Sequence, residues 1–207
     1  METTVKHPVV IYAESTPNPS AMKFVADRIL LRSNATAEYK NKTEAKSSPL
    51  ANELFNFPFV KNVFISYNYI SITKAESVSW EDITLEIRDF LKNYINSEKE
   101  IVTELPKQEI HTDNTFKETT TIFTEHTAPK TEIEHKIVEI LEQYIRPAVE
   151  NDGGLIVFKS FENGIVTVAL KGSCSGCPSS TVTLKGGIEA LLKRLIPEVK
   201  EVIAQEA

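Results

Sequence analysis

The placement of glycine is the feature that most restricts how this chain can fold. The 207-residue sequence contains seven glycines, and all of them lie at or beyond Gly153. The turns of the preceding part must therefore use Asn, Asp, Pro and Ser, the other residues that favour turns. This break in composition predicts two modules of different origin, which agrees with a length sufficient for one or two domains.

The first module, residues 1–96, alternates strand-like and helix-like segments. Alternating apolar residues bounded by turn residues predict four strands, within 8–15, 21–31, 60–68 and 69–75. Ser48 and Ser79 each precede a run with helical periodicity and are predicted to be N-caps. The polar segment 33–48 is expected to be an exposed loop. The resulting order ββαββα predicts an α+β domain.

The second module, residues 132–207, is predicted to follow the order αββαβ. Asn163 and Gly164 separate two β-rich runs and predict a tight hairpin. The first helix is expected to bury one stripe of side chains, namely Ile133, Ile137, Ile140, Leu141, Tyr144 and Ala148. Between the modules, residues 97–131 are rich in Thr, Glu and Lys and are predicted to be a flexible linker, with partial order against one of the domains as the alternative. The whole chain is thus predicted to be an α+β protein of two small domains.

The charge balance argues against two classes of partner. The net charge is −6, so neither nucleic acid nor an anionic membrane is expected to be the main partner. No stretch approaches the roughly 20 apolar residues of a membrane span. The first residues lack the pattern of a signal peptide, and they are acidic where a mitochondrial presequence is rich in Arg. These observations predict a cytoplasmic protein.

The two cysteines, Cys174 and Cys177, form a single Cys-x-x-Cys motif. The motif follows the predicted strand 164–172 and precedes a helix that is expected to begin at Pro178. A helix N-terminus lowers the pKa of a nearby thiol and favours the thiolate, which is the form that binds metal. The surrounding serines are small, so both sulfurs are expected to be accessible thiolates.

Three functions remain open on spacing alone. Two chains could each supply two thiolates to one metal cluster, because such a cluster normally takes four cysteine ligands. The pair could instead act as a thioredoxin-like thiol–disulfide oxidoreductase. The third possibility is a zinc half-site or two incidental thiols. The four histidines, His7, His111, His126 and His135, are expected to be solvated or packed, since no local argument places them near the cysteines.

The second module resembles the NifU-like domain of the Nfu family of iron–sulfur carriers. The resemblance rests on residues 145–154, IRPAVENDGG, and above all on G-x-C-x-x-C-P-S-S from Gly172 to Ser180. Leu155 departs from the family, which often has Asp there. The resemblance implies that Cys174 and Cys177 of two subunits bind a labile [4Fe-4S] cluster in a homodimer. A [2Fe-2S] cluster or zinc stays open as an alternative.

The same resemblance implies a carrier that is not an enzyme and has no catalytic residues. It would receive a cluster from an upstream assembly scaffold and transfer it to apo-proteins. The first module, through residues 14–24 and 48–74, resembles the Nfu N-terminal domain, which implies a role in recognising partners. Its loop around 32–47 is longer and more polar than the family pattern.

Overall fold

The computed structural model describes residues 7–32, 35–104, 125–175 and 178–206, with the backbone alone described for residues 178–181 and 206. The chain forms two compact units, one comprising Met1–Ser15 and Ser20–Leu105, the other Thr16–Pro19 and Pro106–Ala207. Within the described ranges, no helix has both the length and the hydropathy needed to cross a bilayer. The prediction of an α+β chain with two small domains is confirmed.

The first unit is an antiparallel five-stranded sheet with two helices. Its strands are β1 (Ile11–Ser15), β2 (Ala21–Ala26), β3 (Ala37–Tyr39), β4 (Val60–Ile65) and β5 (Tyr69–Lys74), and its helices are α1 (Pro49–Leu54) and α2 (Trp80–Asn96). The strand order across the sheet is β1-β2-β5-β4-β3. Buried side chains from both helices and all five strands form one apolar core, in which Phe24, Leu50 and Ile87 are fully buried.

Both predicted helix N-caps of the first unit are present. Ser48 Oγ accepts a hydrogen bond from the Ala51 N–H at 3.1 Å, and Ser79 Oγ accepts one from the Glu81 N–H at 3.3 Å. Such side-chain oxygens satisfy N–H groups that have no partner inside the helix. The sequence therefore sets where α1 and α2 begin.

The segment 33–48, predicted to be an exposed loop, contains β3 and a short 3₁₀ turn, Glu44–Ser47. Ala37 and Tyr39 are 1% and 4% exposed, because both side chains enter the core while β3 pairs with β4. β3 has only three residues, so its alternation of apolar and polar side chains is too short to predict a strand within a polar segment. The prediction of an exposed loop is therefore wrong for these residues.

The second unit packs helices against a three-stranded sheet. Its elements are α3 (Glu132–Ile140), α4 (Arg146–Asn151), β6 (Gly154–Glu162), β7 (Ile165–Gly172), α5 (Pro178–Leu195) and β8 (Glu201–Glu206). β6 and β7 form the predicted hairpin, and Asn163 and Gly164 both have positive φ, 54° and 87°, as a tight turn of this kind requires. β8 runs parallel to β7, so α5 supplies the crossover connection that parallel strands need.

The first helix of this unit is interrupted, and this shifts its buried face. Leu141–Ile145 forms one π-helical turn between α3 and α4, two residues before Pro147, which has no N–H to donate. The wider turn adds a residue to the repeat. Val149 is therefore buried, whereas Tyr144 is 55% exposed and Ala148 is also exposed. The prediction that Tyr144 and Ala148 are buried is wrong for this reason.

Both ends of the predicted linker contact folded structure. In the first unit, Thr103 N–H donates to the Ser47 carbonyl at 2.8 Å. In the second unit, Thr127 N–H donates to the Phe158 carbonyl at 2.9 Å, while the Phe158 N–H donates to His126 Nδ1 at 2.7 Å. The N–H and the carbonyl of Phe158 are thus both hydrogen-bonded to residues 126–127, which therefore cover the outer edge of β6 at this point.

A partly buried network of charged side chains secures this contact to the α3–α4 segment. His126 Nε2 lies 2.7 Å from Glu142 Oε1, and the His126 side chain is 2% exposed. Arg146 Nη1 donates to both Glu142 carboxylate oxygens at 2.9 Å, and its Nε donates to Glu150 at 2.7 Å. Burial alone raises the pKa of Glu142, but the His126 hydrogen bond and the Arg146 charge outweigh burial and lower that pKa below its usual value.

Glu142→Gln is expected to flatten the acid dependence of stability. A lowered folded pKa gives Glu142 a stabilising contribution that is present above its unfolded pKa, about 4.3, and lost as the pH falls through the folded value. The variant should be less stable by about 2 kcal/mol near neutral pH, and this difference should shrink in acid. Urea unfolding over a pH series measures it. Glu139→Gln, at an exposed carboxylate of α3, is the control, and parallel acid profiles for wild type and Glu142→Gln would contradict the account.

Candidate metal centre

The cysteine loop joins the central strand of the second sheet to its longest helix. β7 ends at Gly172 and α5 begins at Pro178, which confirms the predicted helix start. Cys174 therefore lies in the short connection after the carboxyl end of β7. The core side chains of β7 and α5, including Val168, Ile188 and Leu192, hold both ends of this connection in the folded unit.

Cys174 does not present its sulfur to solvent. It is 5% exposed and belongs to the apolar core of the second unit. Gly154, the first residue of β6, provides the space for it: a Cβ atom at this position would lie 2.6 Å from Cys174 Sγ and 2.7 Å from the Lys171 carbonyl oxygen. A residue with a side chain would therefore collide with both the thiol and the backbone of β7.

Burial also changes the acidity of this thiol. Burial raises the pKa of Cys174 to about 11; the Ser173 hydrogen bond opposes this rise, and the nearby Asp152 charge adds to it. At neutral pH Cys174 is thus a thiol. The expectation of an accessible thiolate is wrong for Cys174 in this conformation, because it assumed that the loop stands clear of β6.

Ser173 ties the loop to the turn before β6. Its Oγ donates to the Asp152 carbonyl oxygen, and its N–H donates to the Gly153 carbonyl at 3.2 Å. Ser173 Oγ also lies 3.9 Å from Cys174 Sγ. Sequence reasoning treated this serine only as a small neighbour. The adjacent pair Gly153-Gly154 was the available signal, since paired glycines often mark a close approach of two backbones.

Lys171 connects the base of this loop to the segment before α3. It forms an ion pair with Glu125, which lies in the stretch predicted to be linker. Lys171 is three residues before Cys174 in the sequence. The two side chains are 22% and 13% exposed, so this pair is partly shielded from solvent. Neither residue was singled out from the sequence.

The other sequence-derived candidates are distributed as follows. Cys177, the second predicted ligand, lies outside the described residues, as does His111. His7 and His135 are exposed, whereas His126 is packed in the Glu142 network. In the described ranges, no group of three or more His, Cys, Asp or Glu side chains could hold a metal ion. Cys174 is therefore the one predicted ligand whose surroundings the description covers.

Comparison with known families covers most of the chain. A family model described as "Scaffold protein Nfu/NifU N terminal" matches residues 11–98, and a second, described as "NifU-like domain", matches residues 137–203. The chain belongs to the Nfu family. The resemblance seen in the sequence is thereby confirmed for both modules.

Curated relatives extend this match along nearly the whole chain. A protein of Homo sapiens named "NFU1 iron-sulfur cluster scaffold homolog, mitochondrial" is 35% identical over 201 residues, covering 95% of this chain and 73% of that protein. A Drosophila persimilis protein of the same name is 36% identical over 198 residues, covering 95% of this chain. This chain spans 65% of the Drosophila protein's length.

Two solved structures resemble parts of this Nfu-family chain. A NifU-like protein from Saccharomyces cerevisiae has a TM-score of 0.44 at 24% identity, covering 50% of this chain and 92% of that one. A Staphylococcus aureus protein has a TM-score of 0.36 at 20% identity, covering 41% of this chain and 99% of that one. Membership of the family follows from the sequence matches alone.

The predicted cytoplasmic location is wrong. The human and Drosophila relatives are named as mitochondrial proteins. The prediction relied on the absence of a targeting pattern in the first residues of this sequence. That absence carries no weight, because the sequence spans about two thirds of the length of these relatives, 65% and 73% in the two compared above.

Proposed function

We propose that this Nfu-family chain carries an iron–sulfur cluster and delivers it to apo-proteins. The supporting observation is a Cys-x-x-Cys motif between β7 and α5 of the unit that matches the NifU-like family model. The names of the relatives describe them as iron–sulfur cluster scaffolds, which supports the same assignment here. The proposal includes no catalysed reaction and no catalytic residue.

The number of thiols leads to the proposal of a shared site. A cluster normally takes four cysteine ligands, whereas this chain has two cysteines in all. We therefore propose that Cys174 and Cys177 of two copies supply the four thiolates, so that cluster binding and homodimer formation are linked. A [4Fe-4S] cluster is the cargo we propose, and a [2Fe-2S] cluster would use the same four sulfurs.

Cysteine thiolates are suitable ligands for such a cluster, but in the described conformation the sulfur of Cys174 is buried and cannot reach one. Cysteine sulfur is the ligand that iron–sulfur clusters use. Cys174 must move away from Gly154 and lose its proton before it can bind iron. Once Cys174 has left the core, the positive end of the α5 dipole would stabilise its thiolate, because α5 begins four residues further along the chain.

A shared site suits transfer rather than storage. Each chain holds its share of the ligands on one short loop, so thiolates of an incoming apo-protein can replace them one at a time. An upstream assembly scaffold would load the site in the same way. We propose that the first module, residues 1–96, recognises partners, that residues 97–131 link it to the cluster-binding domain, and that this domain comprises residues 132–207.

The rival function, a thiol–disulfide oxidoreductase, is less well supported. Such an enzyme needs an accessible thiol of lowered pKa in its Cys-x-x-Cys motif. Cys174 is 5% exposed and burial raises its pKa to about 11, so this enzyme would need the same opening of the loop as cluster binding. The carrier is favoured because the names of the relatives describe iron–sulfur cluster scaffolds. Turnover in an insulin-reduction assay with a dithiol donor would nevertheless favour the enzyme.

Anaerobic reconstitution with iron and sulfide tests the proposal. The expected product has a broad absorption band near about 400 nm, bound sulfide and roughly four irons for every two chains. Gel filtration with light scattering should show a dimer that dissociates when a chelator removes the iron. A colourless monomer without bound iron would overturn the proposal.

A further inference from the structure

The contacts around Cys174 hold its side chain in a closed arrangement against the start of β6. Cys174 Sγ lies in the space left by Gly154, the Ser173 hydroxyl donates to the Asp152 carbonyl, and the Ser173 N–H donates to the Gly153 carbonyl. The Ser173 carbonyl in turn accepts a hydrogen bond from Asn18 Nδ2 at 3.0 Å. The contacts of Cys174 Sγ, the Ser173 hydroxyl and the Ser173 N–H connect the cysteine loop to the turn before β6 and to Gly154, its first residue. We propose that Ser173 and Gly154 form a latch that keeps the Cys174 thiol inside the domain until a cluster is loaded.

Packing explains why this position is stable for the thiol. Free cysteine behaves as a small apolar side chain and is among the residues most often buried. Cys174 packs in the same core cluster as Val149, Ile156 and Ile188. The sulfur therefore replaces an apolar side chain in the core, and exposing it leaves a space that the glycine cannot fill.

Ser173 is the positioning residue of the latch. It is 1% exposed, and its hydroxyl reaches across to the main chain of the turn at Asp152. The neighbouring Ser175 differs, because its hydroxyl donates at 2.8 Å to the Gly172 carbonyl within the loop itself. Breaking the Ser173 hydroxyl contact should loosen the loop at the turn before β6, whereas loss of the Ser175 hydroxyl should not.

If the chain carries iron–sulfur clusters, as proposed above, the latch protects the Cys174 thiol between loading events. A thiol inside the core is protected from oxidation and from stray metal ions while no cluster is bound. Opening the loop exposes Cys174 only when it is to be used. Cys174 and Cys177 therefore need not be exposed to solvent at the same time.

Thiol alkylation of the metal-free chain tests the latch. In Cys177→Ser, Cys174 is the remaining cysteine, so its reaction with iodoacetamide can be followed by mass spectrometry. At one fixed pH, the folded chain is expected to react at least about tenfold more slowly than the same chain in urea, because the reaction must wait for local opening. Equal rates in the two states would overturn the proposal.

Two serine variants in the same background test the role of Ser173. Ser173→Ala should speed alkylation of the folded chain by about fivefold, the effect of losing one hydrogen bond, and Ser175→Ala should react as slowly as its parent. Circular dichroism checks that both are folded. If Ser173→Ala fails to fold, the comparison of folded and unfolded Cys177→Ser still decides the proposal. A folded Ser173→Ala with unchanged protection would contradict the role of Ser173.

These outcomes separate the latch from the proposed function. A protected Cys174 in a chain that takes up no iron at reconstitution would leave the latch standing and remove the cluster-carrier function. A fully reactive Cys174 in a chain that assembles a cluster would do the reverse.

Discussion

Replacing Cys174 by serine is expected to abolish cluster binding. In the shared site, the change removes two of the four thiolates from every dimer at once, and a serine oxygen is a poor substitute for a thiolate on iron. Iron and sulfide retained after anaerobic reconstitution and desalting should fall to background. Cys177→Ser should have the same effect, since the proposed site uses both cysteines of each chain.

The matched control is Ser175→Ala, in the same loop. It removes a hydroxyl that donates to the Gly172 carbonyl at 2.8 Å but leaves both thiols in place. This variant should retain iron at the level of the wild type. A Cys174→Ser chain that is folded and still holds the wild-type amount of iron would show that the proposed ligand set is wrong.

Phe158→Ala is expected to have the largest effect on stability. Phe158 is 1% exposed in the core of the second unit, where its ring packs among side chains from the helices and from β7. Truncating a fully buried Phe costs about 3–5 kcal/mol, from lost apolar burial and from the cavity that remains. Because whole domains are stable by only about 5–15 kcal/mol, much of the second unit's stability should be lost.

Phe161→Ala, three residues along β6, is the control for this change. It makes the same truncation at a side chain that is only partly buried against the same core. Thermal unfolding followed by circular dichroism should show a much smaller loss of stability for Phe161→Ala. Equal losses would mean that the core of the second unit is not centred on the residues described here.

The elements that the sequence predicts well are those with strong local signals. Ser48 and Ser79 cap helices, Asn163-Gly164 forms a hairpin, and Pro178 begins α5, because each depends on chemistry within a few residues. The failures depend on longer-range effects. β3 is stabilised by pairing with β4, and the buried face of the α3–α4 segment is shifted by a π turn before Pro147.

The candidate site divides in the same way. The position of the Cys-x-x-Cys loop at the end of β7 follows from the local pattern, and so does the identification of the family. The burial of Cys174 does not, because it depends on Gly154, which is twenty residues away in sequence but paired with Gly172 in the sheet. Likewise, the packing of His126 against Glu142 brings together residues that have no local relationship.

Native mass spectrometry of the reconstituted chain tests the central claim most directly. The account predicts a single cluster-bearing species, whose mass equals two chains plus four irons and four sulfides. The remaining protein should be metal-free monomer, and no monomer should carry a cluster. Cys174→Ser should give only the metal-free form. A cluster held by one chain, or a cluster-bearing dimer formed equally well by Cys174→Ser, would contradict a site shared through Cys174 and Cys177.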